Sequence, residues 1–221
     1  MAKLFLLRHL KSQWNEENRF AGWTDGPLAK GEELKAKDLA LELFRFRIDK
    51  IYSSPLFRNM NTVSEIFEYS PNKYPFFIHL DGGKMEKWGN FEGDGGYIPV
   101  FVSETLNEKY YGKLQGLNKD EVKAEYGEEQ VRLWRRSYNV APPKGESLKD
   151  VYKRAVPFYK KYIEKDLRAG KDVLIVASHN SLRAIVKYIE NVSDEKIIEV
   201  ELAFGALSQY EFNGGLYKNL Q

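Results

Sequence analysis

The chain has 221 residues, 43% hydrophobic and 30% charged, which suits one large globular domain or two small ones and excludes disorder over most of its length. Thirty-four Lys and Arg against 32 Asp and Glu leave a formal charge of +2, so a basic nucleic-acid coat and an acidic tail are excluded, while a local basic pocket is not. With no cysteine, disulfides, thiolate nucleophiles and Cys-based zinc or Fe–S sites are excluded too, and the histidines number three: His9, His79 and His179.

In chain order, Lys3–Arg8 (KLFLLR) is short and apolar, as expected of a buried strand in a parallel sheet. Apolar residues at Leu34, Leu39, Leu41, Leu43 and Phe44, with charges between them, predict an amphipathic helix over 32–46. Ile48–Ser53 reads as a second strand punctuated by Pro55, followed by a helix over 57–67. Residues 71–98 read as loop or lid: Pro71 and Pro75 precede six glycines between Gly82 and Gly96. A strand is expected at Ile98–Val102 and helical structure at 118–137. The clearest helix spans 147–168, with Ser147 as N-cap, Asp150 three residues on, Gly170 at its end and a kink expected at Pro157. Val173–Ala177 (VLIVA) is the strongest strand; it runs through Ser178 and His179 into a helix beginning near Ser181. A last strand, Ala206–Phe212, precedes a short polar end. Strands alternating with helices predict an α/β fold, one domain over 1–221, with a mostly parallel central sheet and helices on both faces. No run approaches the roughly 20 apolar residues of a membrane helix, so no membrane partner is expected and the cytoplasm is the default location.

His9 and His179 each follow a strand. Ligands in open α/β sheets bind at the carboxyl ends of strands, so parallel, adjacent strands would bring both imidazoles to one site. Arg8 precedes His9, Asn15 follows within two turns, and Arg58 lies on the first turn after the second strand. Arginine forks beside histidines suit a phosphoryl group, with a histidine as nucleophile. No Walker pattern is present, which excludes P-loop chemistry. Taken alone, Arg135 and Arg136 read as a solvated helix face, and Glu108 carries no signal.

The run LLRHLKSQWNEENRFAGWTDGPLAKGEELK (Leu6–Lys35) resembles the opening of the cofactor-dependent phosphoglycerate mutases of the histidine phosphatase superfamily, whose pattern is R-H-G-E-S-x-W-N followed by N-x-F-x-G-W. Four more blocks match in order: LNEKYYGKLQGLNKDE (Leu106–Glu121), YGEEQVRLWRRSY (Tyr126–Tyr138), PPKGESLKD (Pro142–Asp150) and AGKDVLIVASHNSLRAIVKY (Ala169–Tyr188). The resemblance implies that His9 becomes phosphorylated, with Arg8, Arg58 and His179 around the transferred group and Glu108 as general acid/base. It implies that Tyr111, Lys119, Arg135 and Arg136 hold the substrate carboxylate and outer phosphate, and that Asn15, Gly22 and Asn180 add phosphate contacts. It further implies 2,3-bisphosphoglycerate as priming phosphoryl donor, no metal, a small phosphorylated carboxylate as substrate, no nucleic acid, and a glycolytic and gluconeogenic role; the oligomeric state, a homo-oligomer included, stays open. Ser12 and Gly22 resemble the mutases more than the related bisphosphoglycerate synthases.

The chain departs from that pattern at several points. Leu10 replaces the glycine after the nucleophilic histidine, and Lys11 replaces a glutamate. Where the family reads A-A-H-G-N-S-L-R, this chain reads V-A-S-H-N-S-L-R, so an ungapped match puts Ser178 at the histidine position and His179 at the glycine; His179 is still expected to face the site. A glycine-rich insertion is expected at about 80–97, with His79 at its edge in a structural role. The short end after the last strand would open the pocket to water. Two alternatives therefore stand beside the mutase: a histidine phosphatase acting on small phosphomonoesters, and a non-catalytic anion-binding module.

Overall fold

Alternation along the apolar strands dictates two cores. In the computed structural model, which describes residues 1–90 and 95–220, the elements run β1 (Ala2–Arg8), α1 (Gln13–Glu16), α2 (Glu32–Leu43), β2 (Lys50–Ser53), α3 (Phe57–Phe67), β3 (Tyr74–His79), α4 (Gly83–Trp88) and β4 (Tyr97–Val102). They continue with α5 (Lys119–Tyr126), α6 (Glu128–Arg136), α7 (Leu148–Phe158), α8 (Lys165–Arg168), β5 (Val173–Ala177), α9 (His179–Ile189), β6 (Leu207–Asn213) and β7 (Leu216–Asn219). The sheet order is β3-β4-β2-β5-β1-β6-β7; the first five strands are mutually parallel and the last two antiparallel.

Phe5 and Leu7 of β1 and Leu174 and Val176 of β5 pack under α2 and α3 with Ala36, Leu39, Leu43, Val63 and Ile66. Leu4 and Leu6 with Val173, Ile175 and Ala177 face the other way, onto Phe158, Tyr159, Ile163, Leu182 and Ile185. The period-2 pattern thus sends each strand's side chains to helices on both faces. No helix among the described residues is long and apolar enough to cross a membrane.

The structure refines or corrects several expectations. Residues 71–98 are not all loop: β3 pairs with β4 over Tyr74–His79, and α4 follows it. Pro75 is tolerated because β3 is an edge strand, where a missing N–H breaks no ladder. Within the glycine-rich stretch expected at 80–97, residues 91–94 lie outside the described residues. The helical stretch 118–137 is two helices parted at Gly127, whose φ of +85° no helix accommodates. The polar end forms β7, turned back through Gly214 and Gly215, both at positive φ as a tight hairpin requires. The helix after β5 begins at His179, two residues earlier than expected. Pro157 sits in the last turn of α7, and a wide π-helical turn over Tyr159–Glu164 follows it before α8.

Candidate active site

The carboxyl ends of four neighbouring parallel strands build one site. β1 pairs with β5 with Arg8 opposite Ala177, so His9 and the Ser178–His179 turn leave the sheet side by side. β2 leads into α3, which carries Arg58, and β4 leads through a short 3₁₀ turn to Glu108. All twelve residues singled out in the sequence — Arg8, His9, Asn15, Gly22, Arg58, Glu108, Tyr111, Lys119, Arg135, Arg136, His179 and Asn180 — line a single cavity of about 280 Å³. His79 ends the edge strand β3 and does not line it.

His9 is 2% exposed, and its Nδ1 lies 2.6 Å from the Leu10 carbonyl. A carbonyl only accepts, so Nδ1 carries the hydrogen and Nε2 keeps its lone pair. Burial first, then Arg58 and Arg8, hold the ring well below the ordinary imidazole pKa, so it is neutral at pH 7. Leu10, in place of a glycine, causes no conflict: its side chain is fully buried with Leu7, Ala36 and Leu39 beneath α2, and its N–H donates to Thr62 Oγ1 at 3.0 Å. Lys11 pairs with Glu16 at 3.5 Å and does not line the cavity.

Arg58, 2% exposed, donates to Gly22 O at 2.7 Å and Thr24 O at 3.0 Å, clamping the loop after α1. Gly22 has φ +54°, and a Cβ there would lie 2.2 Å from Gln115 Oε1, so any other residue would have to displace the Gln115 side chain from the Trp23 N–H. Ser178 is fully buried beneath the site, where its hydroxyl accepts from Asn59 Nδ2 at 3.2 Å and Arg58 Nη2 at 3.5 Å. His179, not Ser178, lines the cavity. Burial first, then Arg8, lower the His179 pKa to about 4 against the opposing pull of Glu201.

Glu108 accepts from Lys109 N–H at 2.7 Å, Asn180 Nδ2 at 2.7 Å and Asn180 N–H at 3.3 Å, the last from the first turn of α9. Burial alone would raise its pKa; His179, Asn180, the Lys109 N–H and Arg58 outweigh burial and lower it, so Glu108 is a carboxylate at neutral pH. The Tyr111 hydroxyl accepts from Asn180 Nδ2 at 3.2 Å, and burial raises its pKa to about 12. Among the described residues, the side chains of Lys119 and Arg135 line the cavity with no hydrogen bond or ion pair, and the Lys119 ammonium lies 6.0 Å from the centre of the Phe20 ring. Burial, Arg135 and Arg8 lower Lys119 to about 8.

Several residues escaped the sequence reading. Buried Arg183 donates to Asn180 Oδ1 at 3.0 Å, to Arg136 O at 2.7 Å and to Ile197 O at 2.5 Å; it turns the Asn180 amide toward Glu108 and ties α6 to α9. Arg154 donates to Glu108 O at 2.9 Å and Asn107 O at 2.9 Å, and buried Lys109 to Trp134 O at 2.5 Å. Phe204 lies 3.6 Å beneath the Arg8 guanidinium, and Glu201 pairs with Arg8, Arg136 and His179. Arg183 lies inside a matching block; Glu201 and Phe204 lie on an irregular loop where neither spacing nor composition gave a signal.

The cavity therefore offers an unprotonated imidazole nitrogen, a buried carboxylate and a ring of cations, an arrangement able to take a phosphoryl group and move a proton. The family model of the histidine phosphatase superfamily (branch 1) matches residues 4–94 and 90–220. A relative from Methanococcus vannielii, named 2,3-bisphosphoglycerate-dependent phosphoglycerate mutase, is 46% identical over 217 residues, covering 96% of this chain and 92% of its own. A relative of that name (numbered 1) from Gloeobacter violaceus is 40% identical over 219 residues, with 96% and 94% covered. Among solved structures, Bacillus stearothermophilus YhfR superimposes with a TM-score of 0.78 at 22% identity, covering 100% of this chain and 96% of that one. A mycobacterial glucosyl-3-phosphoglycerate phosphatase does so with 0.79 at 20% identity, with 99% and 97% covered; these two likenesses speak to the fold alone. By fold and by sequence, the chain belongs to the histidine phosphatase superfamily, among the relatives named 2,3-bisphosphoglycerate-dependent phosphoglycerate mutases.

Proposed function

We infer that this chain is a phosphoglycerate mutase, interconverting 3-phosphoglycerate and 2-phosphoglycerate through a phosphorylated His9, in the cytoplasm as part of glycolysis and gluconeogenesis. The observation that carries the reading is the convergence of His9, Glu108 and the side chains of Lys119 and Arg135 on one cavity, in a chain 46% identical to a relative of that name.

In this reading, primed phospho-His9 gives its phosphoryl group to the free hydroxyl of the bound monophosphate as the P–N bond breaks, and the freed Nε2 lone pair then attacks the phosphorus of the other ester as its P–O bond to the sugar-acid oxygen breaks. Arg8 and Arg58 carry the charge of the transferring oxygens, and Leu10 O holds the Nδ1 proton of the phosphorylated ring. Glu108 takes the proton from the hydroxyl as it attacks phosphorus on His9, then returns it to the oxygen that leaves in the second transfer. It is ionised in the free site; an incoming phosphoryl anion raises its pKa by like-charge repulsion and lets it bind the proton it must give. Lys119, Arg135 and Tyr111 anchor the groups that do not react. Arg8 Nε and Arg58 Nε are buried without a partner, as expected of a site built for anion oxygens. The same cations would hold 2,3-bisphosphoglycerate, which when bound supplies the phosphoryl group that primes His9.

The test is ³¹P NMR of the purified chain with 3-phosphoglycerate, a trace of 2,3-bisphosphoglycerate and EDTA. Formation of 2-phosphoglycerate is expected. His9→Ala should abolish both isomerisation and acid-labile label on the protein. A His9→Ala protein that still isomerises would overturn the mechanism. Inorganic phosphate appearing faster than 2-phosphoglycerate would favour a phosphatase.

A further inference from the structure

Glu201 stands on the irregular loop between a 3₁₀ turn (Lys196–Glu199) and β6, and its side chain lines the cavity. Its carboxylate meets His179 Nε2 at 3.2 Å, Arg8 Nη1 at 3.8 Å, and Arg136. An anion thus already sits on cations of the site, and the protein supplies it. The two carboxylates of the cavity differ in how they are held. Glu108 is 8% exposed and fixed by the Asn180 amide and backbone N–H groups. The Glu201 side chain is 52% exposed, lies on a loop, and is held by ion pairs with Arg136 and Arg8 and by a hydrogen bond with neutral His179.

Its partners are held independently of it. Arg8 also donates to Leu202 O at 2.6 Å and stacks on Phe204; the Arg136 guanidinium also lies 3.4 Å from His179 Nε2, and the Arg136 backbone is tied by Arg183. Removing the carboxylate therefore leaves the cations in place, with their charge uncompensated. Exchanging one anion for another on the same cations avoids that penalty, because neither state leaves close guanidinium groups facing each other unscreened.

We propose that Glu201 is an internal counter-anion, which the carboxylate or phosphate of an incoming ligand displaces from Arg136 and Arg8, and that it thereby sets which anions the site accepts. The proposal rests on the mutase reading only in taking the ligand to be a small phosphorylated acid. A ligand must out-compete a tethered carboxylate, so weakly bound anions such as free phosphate are discriminated against, while ligands bearing two anionic groups pass.

The test uses inorganic phosphate titrated calorimetrically into the full chain. Glu201→Gln should bind phosphate about tenfold more tightly than the wild type. Glu199→Gln removes the same charge from an exposed neighbour outside the cavity and should stay within about twofold. Equal or weaker binding by Glu201→Gln overturns the proposal, the latter by making Glu201 an organiser of the cations. A crystal structure of the wild type with 3-phosphoglycerate gives a second reading: Glu201 should be parted from Arg136, and a pair still intact beside the bound ligand overturns the proposal. Absence of isomerisation would sink the mutase reading yet leave the phosphate titration to decide on Glu201.

Discussion

The floor and the rim of the cavity are built in opposite ways. On the floor, His9, Arg58, Glu108 and Asn180 are almost wholly buried, and each is fixed by hydrogen bonds to backbone groups or buried side chains. On the rim, Lys119 and Arg135 face the cavity unpaired, and Arg136 is paired to a half-exposed glutamate. The floor is preorganised, as charge stabilisation during phosphoryl transfer requires; the rim keeps donors available for the ligand to satisfy. Chemistry and recognition are therefore separable by mutation.

The largest effect should come from the floor. Glu108→Gln keeps the shape and removes the proton carrier, so kcat should fall by about 10²–10⁴-fold with KM nearly unchanged. A large rise in KM instead would place Glu108 in binding. Next comes Arg183→Met, which touches no ligand but frees the Asn180 amide and leaves three carbonyl oxygens buried without that donor. Expected are a loss of about 10–100-fold in kcat and a lower thermal midpoint, read from turnover and calorimetric melts. At the rim, Arg135→Ala should raise KM by about tenfold while kcat holds, since it removes a charge-assisted bond to a group that does not react. An equal fall in kcat would break the division between floor and rim. The smallest effect concerns pH. Lys119 in the free site is cationic below about pH 8, so its attraction for the ligand is present below that pH and lost as pH rises through it. kcat/KM should fall above pH 8, and Lys119→Arg should move that limb to higher pH, because guanidinium keeps its charge.

What was legible in the sequence followed from local physics. β1 and β5 are uninterrupted apolar runs, so their place in a parallel sheet, and the convergence of His9 and His179, could be argued from pattern. Glu108 and Arg135 could not: their roles came only through the resemblance of their blocks, because a lone carboxylate or an Arg pair on a helix carries no chemistry by itself. β3 was hidden by Pro75, which an edge strand tolerates, and β7 by its brevity, although Asn213-Gly214-Gly215 is a hairpin signal. Whether Ser178 or His179 faces the ligand depends on where α9 begins, and a one-residue choice of that kind is made by tertiary packing.

Leu10 ties two properties that are usually tuned apart. Its carbonyl fixes the hydrogen on His9, while its side chain is a wedge in the hydrophobic layer beneath α2, packed with Leu7, Ala36 and Leu39. Reactivity of the imidazole is thus referenced to the packing of an apolar layer instead of to a flexible glycine hinge. A methyl group lost from that layer would be felt as drift in the orientation of the nucleophile before it was felt as unfolding, so the molecule's hydrocarbon interior serves as the alignment gauge of its most reactive nitrogen.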